Sequence, residues 1–253
     1  MRLGTTFTVE QSGALDGIDT LWQGRKFQII VAASGQTLRS AAAGDLDVVI
    51  THAPALEQSL LVAPGRATRV CPLFSSRFGI VGPTADPAGI RGLTSGVAAV
   101  RRMARIGVVF VSRGDSSGTH QKERELWRLA GVDPDPELWH VESGGSQAAN
   151  VRQAEHWGGY TLVDLPTWTA IRSTVQLELL VAPPGDSVLR NPYALYLVKP
   201  LAEQTFAPQA AELAEWLATV WREQVLTMRL PGGEAAFVRR EQPCAYLGPN
   251  EPR

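Results

Sequence analysis

Short apolar runs with the composition of buried strands alternate with helical patterns along most of this chain, and that alternation constrains the fold more than any other feature. A first strand is expected from Gly4 to Thr8. Gln28 to Ala32 (QIIVA) is a second strand run, after which Ser34-Gly35-Gln36 opens an Ala-rich helix that Gly44 can end. Asp47 to Thr51 (DVVIT) is the next strand. Phe78 to Val81 follows and stops at Gly82-Pro83, then turn chemistry at Asp86 to Gly89 leads into a helix over Gly96 to Ala104. Gly107 to Ser112 (GVVFVS) is strand again, Gln121 to Ala130 helix with Gly131 as its left-handed cap, and Pro134 to Pro136 loop. A helix near Ala148 to Trp157 and strands at Gly159 to Val163, Leu177 to Val181 and Tyr193 to Val198 complete the series. Leu213, Trp216, Leu217, Val220 and Trp221 fall at i, i+3, i+4, i+7 and i+8, the stripe of a helix packed on a core.

Repeated βα units imply an α/β fold with mostly parallel sheets covered by helices on both faces. At 253 residues and 44% hydrophobic content the chain can fill one large core or two ordinary ones. Gly/Pro-rich breaks at Gly82 to Gly92 and Ala182 to Pro192 suggest that the chain leaves one lobe and later returns to it. The expected division is residues 1–82 plus 190–253 as one discontinuous lobe and 83–189 as the other.

Charge narrows the function classes. With 24 Lys+Arg against 25 Asp+Glu the formal net charge is −1, so general binding to nucleic acid or to an anionic membrane lacks its usual electrostatic driver. Any anion must be met by a focused site. No apolar run reaches the length of a membrane helix. The expectation is a protein whose leader has been removed, with a cytosolic protein as the alternative. Cys71 and Cys244 can pair or stay free, and two thiols do not make a metal site. The segment after Gln242 is expected to be ordered only where Cys244 is tied down.

The chemistry concentrates in Ser112-Arg113-Gly114-Asp115-Ser116-Ser117-Gly118-Thr119, between a buried strand and a helix. In open α/β sheets ligands sit at the carboxyl ends of strands, where the next helix presents unpaired N–H groups. A helix N-terminus with Ser and Thr hydroxyls and one Arg suits an oxyanion, and the planar guanidinium can donate two parallel hydrogen bonds. Asp115 can orient that arginine or cap the helix. Thr5, Thr6 and Thr8 before Ser12-Gly13, Ser34 with Gly35, Gln36 and Thr37, and Ser143 to Ser146 are further edges of the same type. Each alone is an ordinary N-cap pattern; together they point to an anion pocket.

The order TTFT, SG.LD, SGQ, DVVITHAP, FGIVGPTADPAGI, FVSRGDSSGTHQKE, GGYTLVD and NPY resembles the tungstate-binding proteins of ABC importers, periplasmic receptors of the type II solute-binding fold. The resemblance runs from Thr5 to about Tyr193. It implies two α/β lobes closing as a clamp on a tetrahedral dianion, a membrane permease as partner, a monomer, and a periplasmic or extracellular location. It implies ligand contacts from Thr5, Thr6 and Thr8 of the first-strand motif and from Arg113 and Thr119 of the SRGD-x-SGT motif. Ser34 and Ser117 complete the candidate ligand set. The chain departs from the family pattern at Phe7, where a third Thr is expected, and at Thr8 for Ser. His52-Ala53-Pro54 replaces an HDP motif, and Asp164 to Trp168 (DLPTW) lacks the arginine of DRGTY.

Other readings are weaker. His52 reads as a hydrogen-bonded core histidine. His120, His140 and His156 lack ligand spacing, so no metal or cofactor is expected. Residues 114–118 resemble the GDSGG of trypsin-like proteases, but a βα frame is wrong for a double β-barrel, and no His and carboxylate are set beside the serine. No Walker loop or dinucleotide fingerprint occurs. Without a general base beside the anion cradle, catalysis is not expected. The expected function is a receptor for tungstate or molybdate, with a sensing domain for a different small anion on the same clamp as the alternative.

Overall fold

The computed structural model describes residues 1–24, 26–201 and 207–247. Its strands are β1 (Arg2–Thr6), β2 (Gln28–Ala32), β3 (Val48–Thr51), β4 (Ala67–Pro83), β5 (Phe110–Ser112), β6 (His140–Glu142), β7 (Thr161–Asp164), β8 (Leu177–Val181), β9 (Arg190–Val198), β10 (Val238–Arg239) and β11 (Ala245–Tyr246). Contacts divide the chain into two compact units. Unit 1 is Met1–Ser75 with Pro192–Arg253, and unit 2 is Ser76–Asn191. The chain thus leaves unit 1 within β4 and returns within β9, at 75/76 and 191/192 against the expected 82/83 and 189/190.

In unit 1, β1 pairs parallel with both β2 and β3, and β3 pairs antiparallel with β9. The register sets Thr5 beside Val31 and Thr6 beside Ala32, so β1 and β2 end at one edge of the sheet. The helix Ser34–Ala42 leaves from that edge. It packs close to β1 because residue 4 is glycine: a Cβ there would lie 2.4 Å from Leu46 Cδ1 and 2.9 Å from Thr37 Cγ2. Leu38 and Ala41 of this helix join Leu46, Val49, Leu61 and Tyr196 in a buried cluster. The expected first strand, Gly4 to Thr8, is displaced by two residues: pairing begins at Arg2 and ends at Thr6, and Phe7–Gln11 is helical.

The aromatic stripe near the C-terminus forms as expected except at one position. Leu213, Leu217 and Trp221 are buried, and Trp221 Nε1 donates to the Ala14 carbonyl at 3.0 Å. Val220 is exposed. The reason is a π-helical stretch, Leu217–Trp221, which widens the turn and rotates that position off the face an ideal helix would bury. The chain end is tied down: Cys71 and Cys244 form a disulfide, and β10 and β11 pair antiparallel with β4. Residues 248–253, which hold Pro249 and Pro252, lie outside the described residues.

Unit 2 pairs β4 antiparallel with β7 and β8, and β5 parallel with β6. Phe110 also bridges in parallel to Tyr160, just before β7. Helices Gly96–Ile106, Gly118–Ala130, Gln147–His156 and Leu165–Ile171 cover it. Phe110 meets Trp127 edge-on at 5.1 Å within a buried cluster with Phe78, Ile80, Met103 and Leu162. The α/β class holds. Among the described strands, the antiparallel pairings involve β4 or β9, the strands that carry the chain from one unit to the other, so they are not bound by the right-handed βαβ rule. Among the described residues no helix is long and apolar enough to cross a membrane.

Candidate functional site

Four candidate residues sit at the edge of unit 1 where β1 and β2 end. Thr5, Thr6, Thr8 and Ser34 are all buried. Thr6 Oγ1 and Thr8 Oγ1 are 2.9 Å apart, and Thr8 Oγ1 is 2.9 Å from His52 Nε2. The His52 ring stacks on Tyr193, with centroids 4.9 Å apart. His52 is the buried, hydrogen-bonded histidine the sequence implied. What the sequence did not carry is its partner, one of the candidate hydroxyls. Thr5 Oγ1 is buried with no hydrogen-bond partner. An unsatisfied buried hydroxyl costs about 1–3 kcal/mol, which a bound acceptor would recover. Ser34 begins its helix behind Ala33, an N-cap residue with no side-chain acceptor for the first-turn N–H groups.

The second group lies in unit 2, where β5 ends at Ser112. Gly114 and Ser116 are left-handed, with φ of +60 and +58. A Cβ on Gly114 would lie 2.8 Å from Glu142 Cβ, so glycine is required there by conformation and by space. Of the two roles considered for Asp115, orienting the arginine holds: it accepts from Arg113 Nη2 and, at 3.0 Å, from the N–H of Ser117, which caps the helix in its place. Ser117 caps the helix Gly118–Ala130, its hydroxyl oxygen accepting from the His120 N–H at 3.2 Å. That helix starts three residues earlier than expected, which puts Gly118 and Thr119 in its first turn.

Arg113 is the central observation. Its side chain is 1% exposed, yet Nε and Nη1 have no hydrogen-bond partner. Burial pushes the guanidinium below its ordinary value, while the charges of Asp115 and Glu123 pull it back up. The result is a buried, ionised fork with donor groups unspent, a state that is costly without an acceptor.

Thr119 is buried, and its hydroxyl donates to Gln147 Oε1 at 2.8 Å. Gln147 Nε2 in turn donates to the Leu162 carbonyl at 3.0 Å, which fixes the amide orientation. Thr119 can therefore offer an anion its first-turn N–H, with its hydroxyl proton committed elsewhere. In the fourth candidate edge, Ser146 caps the helix Gln147–His156, and Ser143 donates to Asn150 Oδ1 at 2.6 Å. The Gly144 N–H donates to the Arg113 carbonyl at 3.0 Å, so this loop braces the arginine backbone.

Glu123 was missed. It is buried and accepts from Ser112 Oγ at 2.8 Å, Trp127 Nε1 at 3.2 Å and His140 Nε2 at 2.9 Å. A signal existed: Glu123, Leu126, Trp127 and Ala130 fall at i, i+3, i+4 and i+7, so an acid stands on the apolar stripe of the helix. No hydrolase relay forms around Ser116 or Ser117, because His120 Nδ1 accepts from the Ser116 backbone N–H at 3.1 Å. Among the described residues, no group of three or more His, Cys, Asp or Glu side chains is arranged to hold a metal ion.

Comparison with known proteins bears on the same segments. The PBP superfamily domain matches residues 3–220. A Haloferax volcanii protein named as an ABC transporter anion-binding protein is 35% identical over 206 residues; the match covers 79% of this chain and 60% of that protein's length. The tungstate binding protein TupA from Desulfovibrio alaskensis is 30% identical, with a TM-score of 0.77 over 96% of this chain and 99% of that one. A Geobacter sulfurreducens structure described as the tungstate ABC transporter is 34% identical, with a TM-score of 0.75 over 86% of this chain and 93% of that one. The chain belongs to the PBP superfamily, among the relatives of the tungstate-binding proteins.

Proposed function

We propose that this protein is a solute-binding receptor that captures a tetrahedral oxyanion, tungstate or molybdate, for ABC import. The observation that carries this reading is Arg113, buried and charged with Nε and Nη1 unpaired at a helix N-terminus. Each compact unit brings its own group of oxyanion donors. Those donors are Arg113, the hydroxyls of Thr5, Thr6, Thr8, Ser34 and Ser117, and the N–H of Thr119. Burying a dianion is unfavourable unless nearly every oxygen lone pair meets a donor, and many neutral donors with one Arg meet that need. A donor-only cradle disfavours protonated phosphate, which needs an acceptor for its own proton.

The named relatives support transport over sensing. In this reading the partner is a membrane permease that reads the ligand-bound receptor, the receptor is a monomer, and no chemical step occurs. The Cys71–Cys244 disulfide supports a periplasmic or extracellular location, since such bonds persist in oxidising compartments.

The test is thermal unfolding with tungstate, molybdate, sulfate or phosphate, followed by calorimetric titration. At a thousandfold excess over the dissociation constant, a ligand adds about 4 kcal/mol to native stability. For a chain of this size that raises Tm by on the order of 10 °C. A shift with tungstate or molybdate and none with sulfate is expected. No shift with any of the four refutes the oxyanion reading.

A further inference from the structure

The chain passes between its units at Ser75/Ser76 and at Asn191/Pro192, more than a hundred residues apart in sequence. The unit 2 residue at each passage reaches the same carboxylate. Ser76 Oγ donates to Asp164 Oδ1, Asn191 Nδ2 donates to the same oxygen at 2.9 Å, and Asn191 Nδ2 lies 3.1 Å from Ser76 Oγ. Thr167 adds hydrogen bonds from its backbone and side chain. Asp164, Ser76, Thr167 and Asn191 are all buried. Asp164 ends β7 in register with Phe78 of β4, which places it at the level of the first crossover.

We propose that Asp164 is a positioning residue for ligand capture: by holding Ser76 and Asn191 on one oxygen it ties the two crossover strands together and sets how freely the chain bends there. The capture role rests on the receptor reading above; the tie between the crossovers does not. An ionised carboxylate offers about four lone-pair sites, enough for donors from β4, β9 and the helix after β7. Asp164 Oδ2 has no hydrogen-bond partner, so a proton settles there and leaves the Oδ1 bonds to Ser76 and Asn191 in place.

Burial is the largest influence on this carboxyl and pushes it up to about 6, with the Ser76, Asn191 and Thr167 hydrogen bonds pulling the other way. From β4 the neighbouring ionised group is Arg77, whose Nη1 donates to the Ala182 carbonyl at 3.1 Å. From β9 it is Arg190, which is exposed. The helix Leu165–Ile171 presents the neutral Thr167. Burial favours the neutral form, so the tie persists in mildly acidic solution.

The test is hydrogen exchange by mass spectrometry on the full chain from about pH 5 to pH 8, corrected for intrinsic exchange, with tungstate affinity measured in parallel. In Asp164→Ala, peptides spanning 74–78 and 189–193 are expected to exchange about tenfold faster than in wild type, the scale of one lost buried hydrogen bond, while the Ser34–Ala42 helix is unchanged. Equal exchange in Asp164→Ala and wild type overturns the tie. If Asp164→Ala does not fold, Ser76→Ala decides the same question. Tungstate affinity of Asp164→Ala at pH 8 is expected to fall about fivefold, a modest coupling between sites. Loosened crossovers with unchanged affinity overturn the capture role. A wild type that binds no tungstate sinks the ligand reading, while the exchange data still decide the tie. Ligand protonation is common to variant and wild type, so it cancels in the comparison.

Discussion

Arg113→Met separates binding from folding. In the free protein the guanidinium is 1% exposed, bound to Asp115 through Nη2, with Nε and Nη1 unpaired. Each unpaired group costs about 1–3 kcal/mol, so replacing the fork by an apolar chain of similar length recovers about 2–6 kcal/mol. Against this, Asp115 loses its partner, and breaking one side of a buried pair costs about 3–5 kcal/mol. The two nearly cancel, so the free variant should unfold within about 3 kcal/mol of wild type in urea, the widest difference between those two ranges. Arg113→Met combined with Asp115→Asn removes the second penalty and should be at least as stable as wild type. Binding behaves differently. Two charge-assisted hydrogen bonds at about 1.5–3 kcal/mol each amount to about 3–6 kcal/mol, a loss of two to four orders of magnitude in Kd. Calorimetric titration with tungstate reads this directly, and Arg113→Lys, a point charge without the fork, should fall between. An affinity within threefold of wild type would refute the assignment. So would a stability loss above about 5 kcal/mol, because it would make the arginine a structural residue.

Three further outcomes are expected. Reducing the Cys71–Cys244 disulfide, whose cysteines are 173 residues apart, should lower unfolding stability by up to about 5 kcal/mol in the loop-entropy model, read from urea midpoints with and without reductant. His52→Phe keeps a ring against Tyr193 and loses the bond to Thr8, so it should fold normally yet weaken oxyanion binding by about fivefold, the scale of one neutral hydrogen bond; an unchanged Kd would detach His52 from the hydroxyl chain. Asp164 is raised from its ordinary 3.8 to about 6, so in that window the folded state holds a proton that the unfolded chain releases. Its contribution to stability is therefore full below pH 4 and is lost as pH rises through 6, about 3 kcal/mol in all. Asp164→Asn should flatten that slope in urea midpoints measured from pH 4 to 8, and an identical slope would remove Asp164 as its source.

The second arm of the site shows how far local pattern reaches. SRGDSSGT announced a strand ending in a hydroxyl-rich turn, and the arginine, the capping serine and the two bonds Asp115 accepts all follow from residues within eight positions of each other. Thr119 was legible as a first-turn residue, whereas its hydroxyl's commitment to Gln147 was not, because that partner lies 28 residues on. The length of β4 was also hidden. Thr68, Arg69 and Pro72 break up its first half and Ser75, Ser76 and Arg77 follow, so only the apolar stretch from Phe78 reads as strand.

The sequence by itself determined the α/β class, the strands that end in hydroxyls, and which arginine stands as the candidate anion contact, because these depend on side-chain periodicity and turn chemistry acting over a few residues. Only the tertiary structure decided that His52 backs Thr8, that Glu123 stands behind Arg113, and that Ser76 and Asn191 meet on Asp164. These are pairings of buried polar groups. A buried donor or acceptor must be satisfied by whatever the packing brings within about 3 Å, and no local pattern encodes which distant residue that will be.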